Sequence, residues 1–212
     1  MSGVKNQIGT FYPASKVFLV KEVLLSQPNF LAEQGVSELI KIALINGGKL
    51  WRSVSLGDGR KVSQFIFSNL ATGVDAKYKV VKKDPYEQTG HRHILNLGHT
   101  VGHFYEAHYK LSHGEAVGWG LRFALDWSFE KRYVSKIAHN KISRVLDEFG
   151  FSKFKKAPVS QSRFMKYLSQ DKKMVGPSRV RFIFISGPGK VLIKSVTLES
   201  IVKYAKKRGE VR

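Results

Sequence analysis

The 212-residue chain contains no cysteine. Disulfides, thiolate nucleophiles and cysteine-rich zinc sites are therefore excluded, and His, Asp and Glu remain as the side chains able to hold a metal. Acidic residues are scarce, 16 Asp+Glu against 36 Lys+Arg, for a formal net charge of +20. Such a surface attracts anions, either nucleic acid or a phosphorylated small molecule, or marks a chain that has lost an acidic partner domain. The basic residues are dispersed, with only short clusters such as Lys82-Lys83 and Lys206-Lys207-Arg208, so nucleic acid is not the expected partner. No apolar run approaches the roughly 20 residues that span a membrane. Residues 1–12 lack the charged and apolar regions of a signal peptide, and a cytoplasmic location is expected. A glycine-rich G-x-G-x-x-G dinucleotide fingerprint following a strand is also missing.

What is present suffices for a core: 42% of the residues are hydrophobic, an ordinary share for a globular chain. Residues 1–15 read as loop, broken by Gly3, Gly9 and Pro13. Val17 to Val20 suits a short buried strand, although no second strand lies nearby to pair with it. Leu31, Val36, Leu39, Ile40, Ala43 and Leu44 recur at helical spacing over 29–46, with Gly47-Gly48 as the stop. Further helices are predicted over 62–81, ending before Asp84-Pro85, over 97–108, and over 114–131. Val134 to Phe149 forms another amphipathic helix closed by Gly150, and a last helix covers 198–207. Arg179 to Ile185 and Val191 to Lys194, flanking Gly187-Pro188-Gly189, predict a β-hairpin. The expected fold is mainly α, with a short N-terminal strand and a C-terminal hairpin.

Six of the seven histidines fall between positions 91 and 113. Residues four apart share a helix face, so His99 and His103 point the same way, with Glu106 one turn on. His113 follows a short connection and can approach the same point from another direction. Spacing alone leaves two readings open, a divalent-metal site or histidines that pack and face solvent. His91, His93, His108 and His139 are read as structural or solvent-facing.

The run Arg92-x-x-Leu-Asn96-x-Gly-His99-Thr-x-Gly-His103-x-x-Glu106, then His113-Gly-Glu-Ala-Val, resembles the signature of 3-dehydroquinate synthases. Gly35-Val-Ser-Glu38-Leu-Ile-Lys41 resembles the family's A-E-x-I-K segment, and Lys77-x-x-Val-Val-x-x-Asp84 its K-x-x-V-V-x-x-D-E. Asp171-Lys172-Lys173 with Gly176 resembles D-K-K-x-x-G, and Lys5-Asn6-Gln7-Ile8-Gly9 resembles G-K-N-x-I-G. These blocks keep family order across nearly the whole chain, a far more specific signal than any one of them.

The resemblance implies the multi-helix C-terminal domain of that fold, over 25–212, with 1–24 a remnant of a Rossmann-like N-terminal domain and linker. It implies Glu38, His99 and His113 as ligands of a divalent ion, Zn2+ or Co2+. Lys5, Asn6, Lys41, Lys77, Arg92, Asn96, His103 and Lys172 or Lys173 match positions that hold the substrate, an anion bearing a carboxylate and a phosphate. Of these, Lys41, Lys77, Arg92, Asn96 and His103 are expected in the catalytic cleft, and Lys5 at the NAD+ site. The implied reaction is NAD-assisted oxidation, phosphate elimination, reduction and aldol closure of 3-deoxy-D-arabino-heptulosonate 7-phosphate. A homodimer is expected by the same analogy.

By the same resemblance the 212 residues begin downstream of the family's dinucleotide-binding domain, and they are expected to supply half of an active site. Ile42-Ala43 also replaces a usual Tyr-Gly, and one extra residue lies between Glu87 and Arg92. Two rivals remain. Other sugar-phosphate cyclases, the 2-deoxy-scyllo-inosose and 2-epi-5-epi-valiolone synthases, share the metal triad. A non-catalytic basic remnant would bind nucleic acid irrespective of His99.

Overall fold

The computed structural model describes residues 12, 14–56, 62–170 and 174–212. In chain order it comprises α1 (Lys21–Leu25), α2 (Asn29–Asn46), α3 (Gly48–Ser55) and α4 (Val62–Lys83), then a 3-10 helix (His91–Asn96). There follow α5 (His99–Tyr109), α6 (His113–Glu130), α7 (Lys136–Glu148) and α8 (Gln161–Ser169), the strands β1 (Arg179–Gly187) and β2 (Lys190–Thr197), and α9 (Leu198–Lys207). None of the described helices is long and apolar enough to cross a membrane.

Helix α6 is apolar around its circumference. Ala116, Val117, Leu121, Phe123, Ala124, Leu125 and Trp127 are all buried, the pattern of a helix surrounded by others rather than laid on a surface. It packs against α2, α5, α7 and β1. Ser112 caps it, its hydroxyl accepting the Glu115 N–H at 3.3 Å, which satisfies one of the donors a helix start leaves without a partner.

Between α5 and α6 the backbones almost touch. A Cβ on Gly120 would overlap the Gly98 carbonyl oxygen, and one on Gly114 would overlap the Gln34 backbone on α2. Only hydrogen at these positions permits the crossing. The start of α6 is thereby held against α2, and the start of α5 against the middle of α6.

The hairpin pairs β1 and β2 antiparallel, from Arg179 opposite Thr197 to Gly187 opposite Lys190. Phe182, Ile183, Phe184 and Ile185 are buried, so β1 is covered on both faces. Its Ile185 N–H donates to the Ser128 hydroxyl on α6 at 2.8 Å, and the tip is tied down by the Gly189 N–H donating to the Leu44 carbonyl at 2.7 Å.

Several expectations need correction. Val17 to Val20 is extended but forms no strand, and Val17 and Phe18 are 70% and 80% exposed. The hairpin is the sheet found among the described residues, and no edge of it reaches this segment. Gly47 does stop α2, with φ +67°, but α3 starts at once from Gly48. The helix expected from Leu97 begins at His99, because Gly98 at φ +79° separates it from the preceding 3-10 helix. Apolar spacing predicts none of helices α1, α3 and α8, and both strands run longer than their apolar cores.

Candidate metal centre

Three elements converge on one point. Glu38 lies on α2 one turn beyond Gln34, the residue on which Gly114 packs, so the start of α6 brings His113 to it. His99 is the first residue of α5, which the Gly98–Gly120 contact presses onto α6. One ligand atom from each of Glu38, His99 and His113 lies within 4.8 Å of the others. Nε2 of His99 is 3.6 Å, and Nε2 of His113 3.8 Å, from the same Glu38 oxygen, Oε1.

The far ring nitrogens are engaged elsewhere. Nδ1 of His99 faces the Leu97 carbonyl at 3.1 Å, and Nδ1 of His113 faces Oε2 of Glu106 at 3.0 Å. A carbonyl and a carboxylate only accept, so each neutral ring carries its hydrogen on Nδ1 and its lone pair on Nε2. Both lone pairs therefore belong on the nitrogens nearest Glu38. Two such nitrogens and a carboxylate suit Zn2+ or Co2+, and three protein ligands are what catalytic zinc sites use. The donor set and its tautomers fit a divalent ion.

Lys41 is 3% exposed, and its Nζ lies 2.9 and 2.7 Å from the two Glu38 oxygens. Burial pulls its pKa down; the Glu38 charge and hydrogen bond oppose this, Lys77 adds repulsion, and the net shift is downward. The ring of His103, one turn past His99, is centred 5.3 Å from that of His99 and 6.5 Å from that of His113. The structure thus gathers Glu38, Lys41, His99, His103 and His113, with Lys77 within electrostatic reach.

Arg92 and Asn96 lie on the 3-10 helix that leads into His99. The Arg92 guanidinium donates to the Pro85 carbonyl at 2.8 Å, and its backbone N–H to Oδ2 of Asp84 at 3.2 Å. Asp84 also accepts the Gln88 and Thr89 N–H groups, at 2.8 and 3.1 Å. Burial would raise this carboxyl, but the Thr89, Arg92 and Gln88 donors outweigh it and hold the pKa at about 2. Lys5, Asn6, Lys172 and Lys173 lie outside the described residues.

Three of the remaining histidines have ring partners elsewhere. His139 is 3.1 Å from Asp126 and stacks on Phe129, His108 stacks on Phe104, and His93 sits between Glu87 and Arg181. Two residues around the centre, Glu106 and Asp84, gain a role only from the structure. Spacing puts Glu106 one turn beyond His103, but it meets His113 on another helix. Asp84 stands in a motif, and its use as a loop clamp depends on the backbone path.

Comparisons with known proteins agree with this picture. The family described as 3-dehydroquinate synthase C-terminal matches residues 35–174. The 3-dehydroquinate synthase of Leptospira interrogans is 36% identical over 191 residues, covering 87% of this chain and 52% of that protein. The bifunctional shikimate kinase/3-dehydroquinate synthase of Thermotoga maritima is 31% identical over 195 residues, covering 90% and 38%. The chain thus spans about half, or less, of the length of these relatives. Among solved structures, a 2-deoxy-scyllo-inosose synthase complexed with carbaglucose-6-phosphate, NAD+ and Co2+ aligns with TM-score 0.79 at 21% identity, covering 97% of this chain and 59% of that one. A 2-epi-5-epi-valiolone synthase from Streptomyces hygroscopicus with NAD+ and Zn2+ bound gives 0.78 at 17%, covering 97% and 58%. At such identities these two speak for the fold. With the family match running through every element of the centre, the chain belongs to the 3-dehydroquinate synthase C-terminal family.

Proposed function

We propose that this chain is the metal- and substrate-binding part of a cytoplasmic 3-dehydroquinate synthase, a lyase that converts 3-deoxy-D-arabino-heptulosonate 7-phosphate to 3-dehydroquinate and phosphate. The observation that carries the reading is the Glu38, His99 and His113 cluster, in which both imidazoles turn Nε2 toward Glu38 and Nδ1 toward an acceptor. When bound, Zn2+ or Co2+ supplies polarisation of a substrate hydroxyl, and NAD+ supplies a reversible hydride acceptor.

The chain's own share is binding and orientation. Lys41, Lys77, Arg92 and His103 present cations and donors for the substrate's carboxylate and phosphate, and Asn96 offers an amide for its hydroxyls. Partial burial around Lys41 strengthens such contacts by excluding water. Lys5, Asn6 and Lys172 or Lys173 complete the set in this reading, with Lys5 also serving NAD+. The dinucleotide site itself requires the N-terminal half that the relatives possess, supplied as a separate partner or as preceding chain, and the assembly is a homodimer. The sugar-phosphate cyclases of similar fold are the second reading; the joint presence of Lys77, Arg92, Asn96 and His103 favours dehydroquinate.

Metal content by mass spectrometry and a dehydroquinate assay test this. About one zinc or cobalt per chain is expected, lost in Glu38→Ala. Turnover with NAD+ is expected only when the N-terminal half of a related synthase is added. A chain without bound divalent metal, or Glu38→Ala with unchanged metal content, overturns the reading.

A further inference from the structure

The two histidines of the centre are anchored differently. His99 is 11% exposed in its side chain and leans on a backbone carbonyl whose place is set by the turn into α5. His113 is 42% exposed, so packing does less to fix its ring. Its anchor is a side chain on another helix, the Glu106 carboxylate, 3.0 Å from Nδ1. That bond crosses from α5 to α6 near the turn that joins them.

Two carboxylates compete for the His113 hydrogen. Glu106 is 3.0 Å from Nδ1 and Glu38 is 3.8 Å from Nε2. If Glu38 won, the hydrogen would sit on Nε2 and point into the space a cation must occupy. With Glu106 nearer, the hydrogen stays on Nδ1 and the lone pair stays inward. A carboxylate acceptor also pushes electron density onto the ring and strengthens Nε2 as a donor.

We infer that Glu106 is a positioning residue of the metal centre, holding His113 in the Nδ1–H form and tightening its hold on a divalent cation. This rests on the metal-centre reading of Glu38, His99 and His113. Sequence spacing pairs His99 with His103, whereas this geometry links His113 to α5 through Glu106.

The test measures zinc affinity of the 212-residue chain by competition with a chromophoric chelator, for the parent, Glu106→Ala and Glu106→Gln. Imidazole 15N spectra of the same metal-free chains report which ring nitrogen bears hydrogen. Glu106→Ala is expected to weaken zinc binding about 10- to 100-fold and to move His113 from the Nδ1–H form toward Nε2–H, leaving His99 unchanged. Glu106→Gln, whose amide oxygen still accepts, keeps the Nδ1–H form and has intermediate affinity. Parent-like affinity in Glu106→Ala overturns the inference, as does weaker binding with no change at His113, which would signal mere structural damage. Should Glu106→Ala fail to fold, Glu106→Gln decides, parent-like affinity there counting against the role. If the parent binds no zinc, the metal reading fails separately, and the His113 spectrum alone decides whether Glu106 holds the ring.

Discussion

Lys41 and Glu38, one turn apart on α2, form an ion pair in which the ammonium reaches both carboxylate oxygens, at 2.9 and 2.7 Å. The lysine is buried and the glutamate partly exposed, so the pair closes the floor of the centre while leaving its mouth reachable. A cation at the centre must share Glu38 with Lys41.

Replacement of Lys41 by Met keeps the stem and removes the charge. Glu38 then lacks its neutralising partner, but the burial penalty of the ammonium, which outweighs that pairing, is removed as well, so the stability of the metal-free chain should change little. Zinc would supply the missing positive charge. Saturating zinc should therefore raise the melting temperature of Lys41→Met more than that of the parent, in thermal denaturation with and without metal. An equal rise in both would contradict competition for Glu38.

Asp84 makes stability depend on acid. Its carboxyl is held down from 3.8 to about 2 by backbone donors despite burial. A lowered folded-state pKa gives stability that is full above the unfolded value and lost as pH falls through the folded one. The parent should therefore lose stability between about pH 4 and pH 2 more steeply than Asp84→Asn, and the two should converge near pH 2. Urea midpoints across that range are the measurement, and parallel curves would refute the assignment.

The helix crossing makes a sharper claim. Gly120→Ala sets a methyl against the Gly98 carbonyl, a main-chain atom that no rotamer change can move. Loss of about 3 kcal/mol or more, or failure to fold, is expected. Gly150→Ala is the control: its φ is +88° but the surrounding space is open, so only backbone strain of about 1–2 kcal/mol applies. Urea denaturation ranks the two, and similar costs would count against the close contact.

A polar network ties the C-terminal end to α5. The Tyr105 hydroxyl donates to Glu210, whose other oxygen is 2.6 Å from Arg208 Nε; Arg208 also meets Asp126 at 2.5 Å. Burial, reinforced by Glu210, pushes the Tyr105 phenol well above its ordinary pKa, so it stays a donor. Tyr105→Phe should cost about 1–3 kcal/mol. Glu210→Ala should cost more, since two partners lose one carboxylate, and the double variant less than the sum. Strict additivity in urea denaturation would show that the contact carries no coupling.

Much of the fold was legible because long helices advertise their buried face. Helices α2, α4, α6 and α9 all lie close to where apolar spacing put them. Helix α8 escaped because its nine residues bury only Phe164 and Leu168, too few for a period to show. Helix α3 escaped because Gly47-Gly48 reads as an end, while here the two successive positive-φ glycines only redirect the chain into a new helix. Val17 to Val20 misled because an apolar run predicts burial only when something covers it. At the centre, spacing revealed the shared face of His99 and His103, but the grouping with Glu38 and His113 comes from three separate elements. Periodicity within one element carries no information about such a meeting, and the motif resemblance did.

The Gly98–Gly120 contact leaves no atom's width between the start of α5 and the middle of α6, so repacking cannot draw His99 away from α6. His113, the first residue of α6, is seated by the separate contact of Gly114 on Gln34. The opening between the two histidines thus acts as a gauge of ionic radius. It should favour ions with bonds of about 2.0–2.1 Å to imidazole nitrogen over Ca2+, which seeks oxygen at about 2.3–2.6 Å.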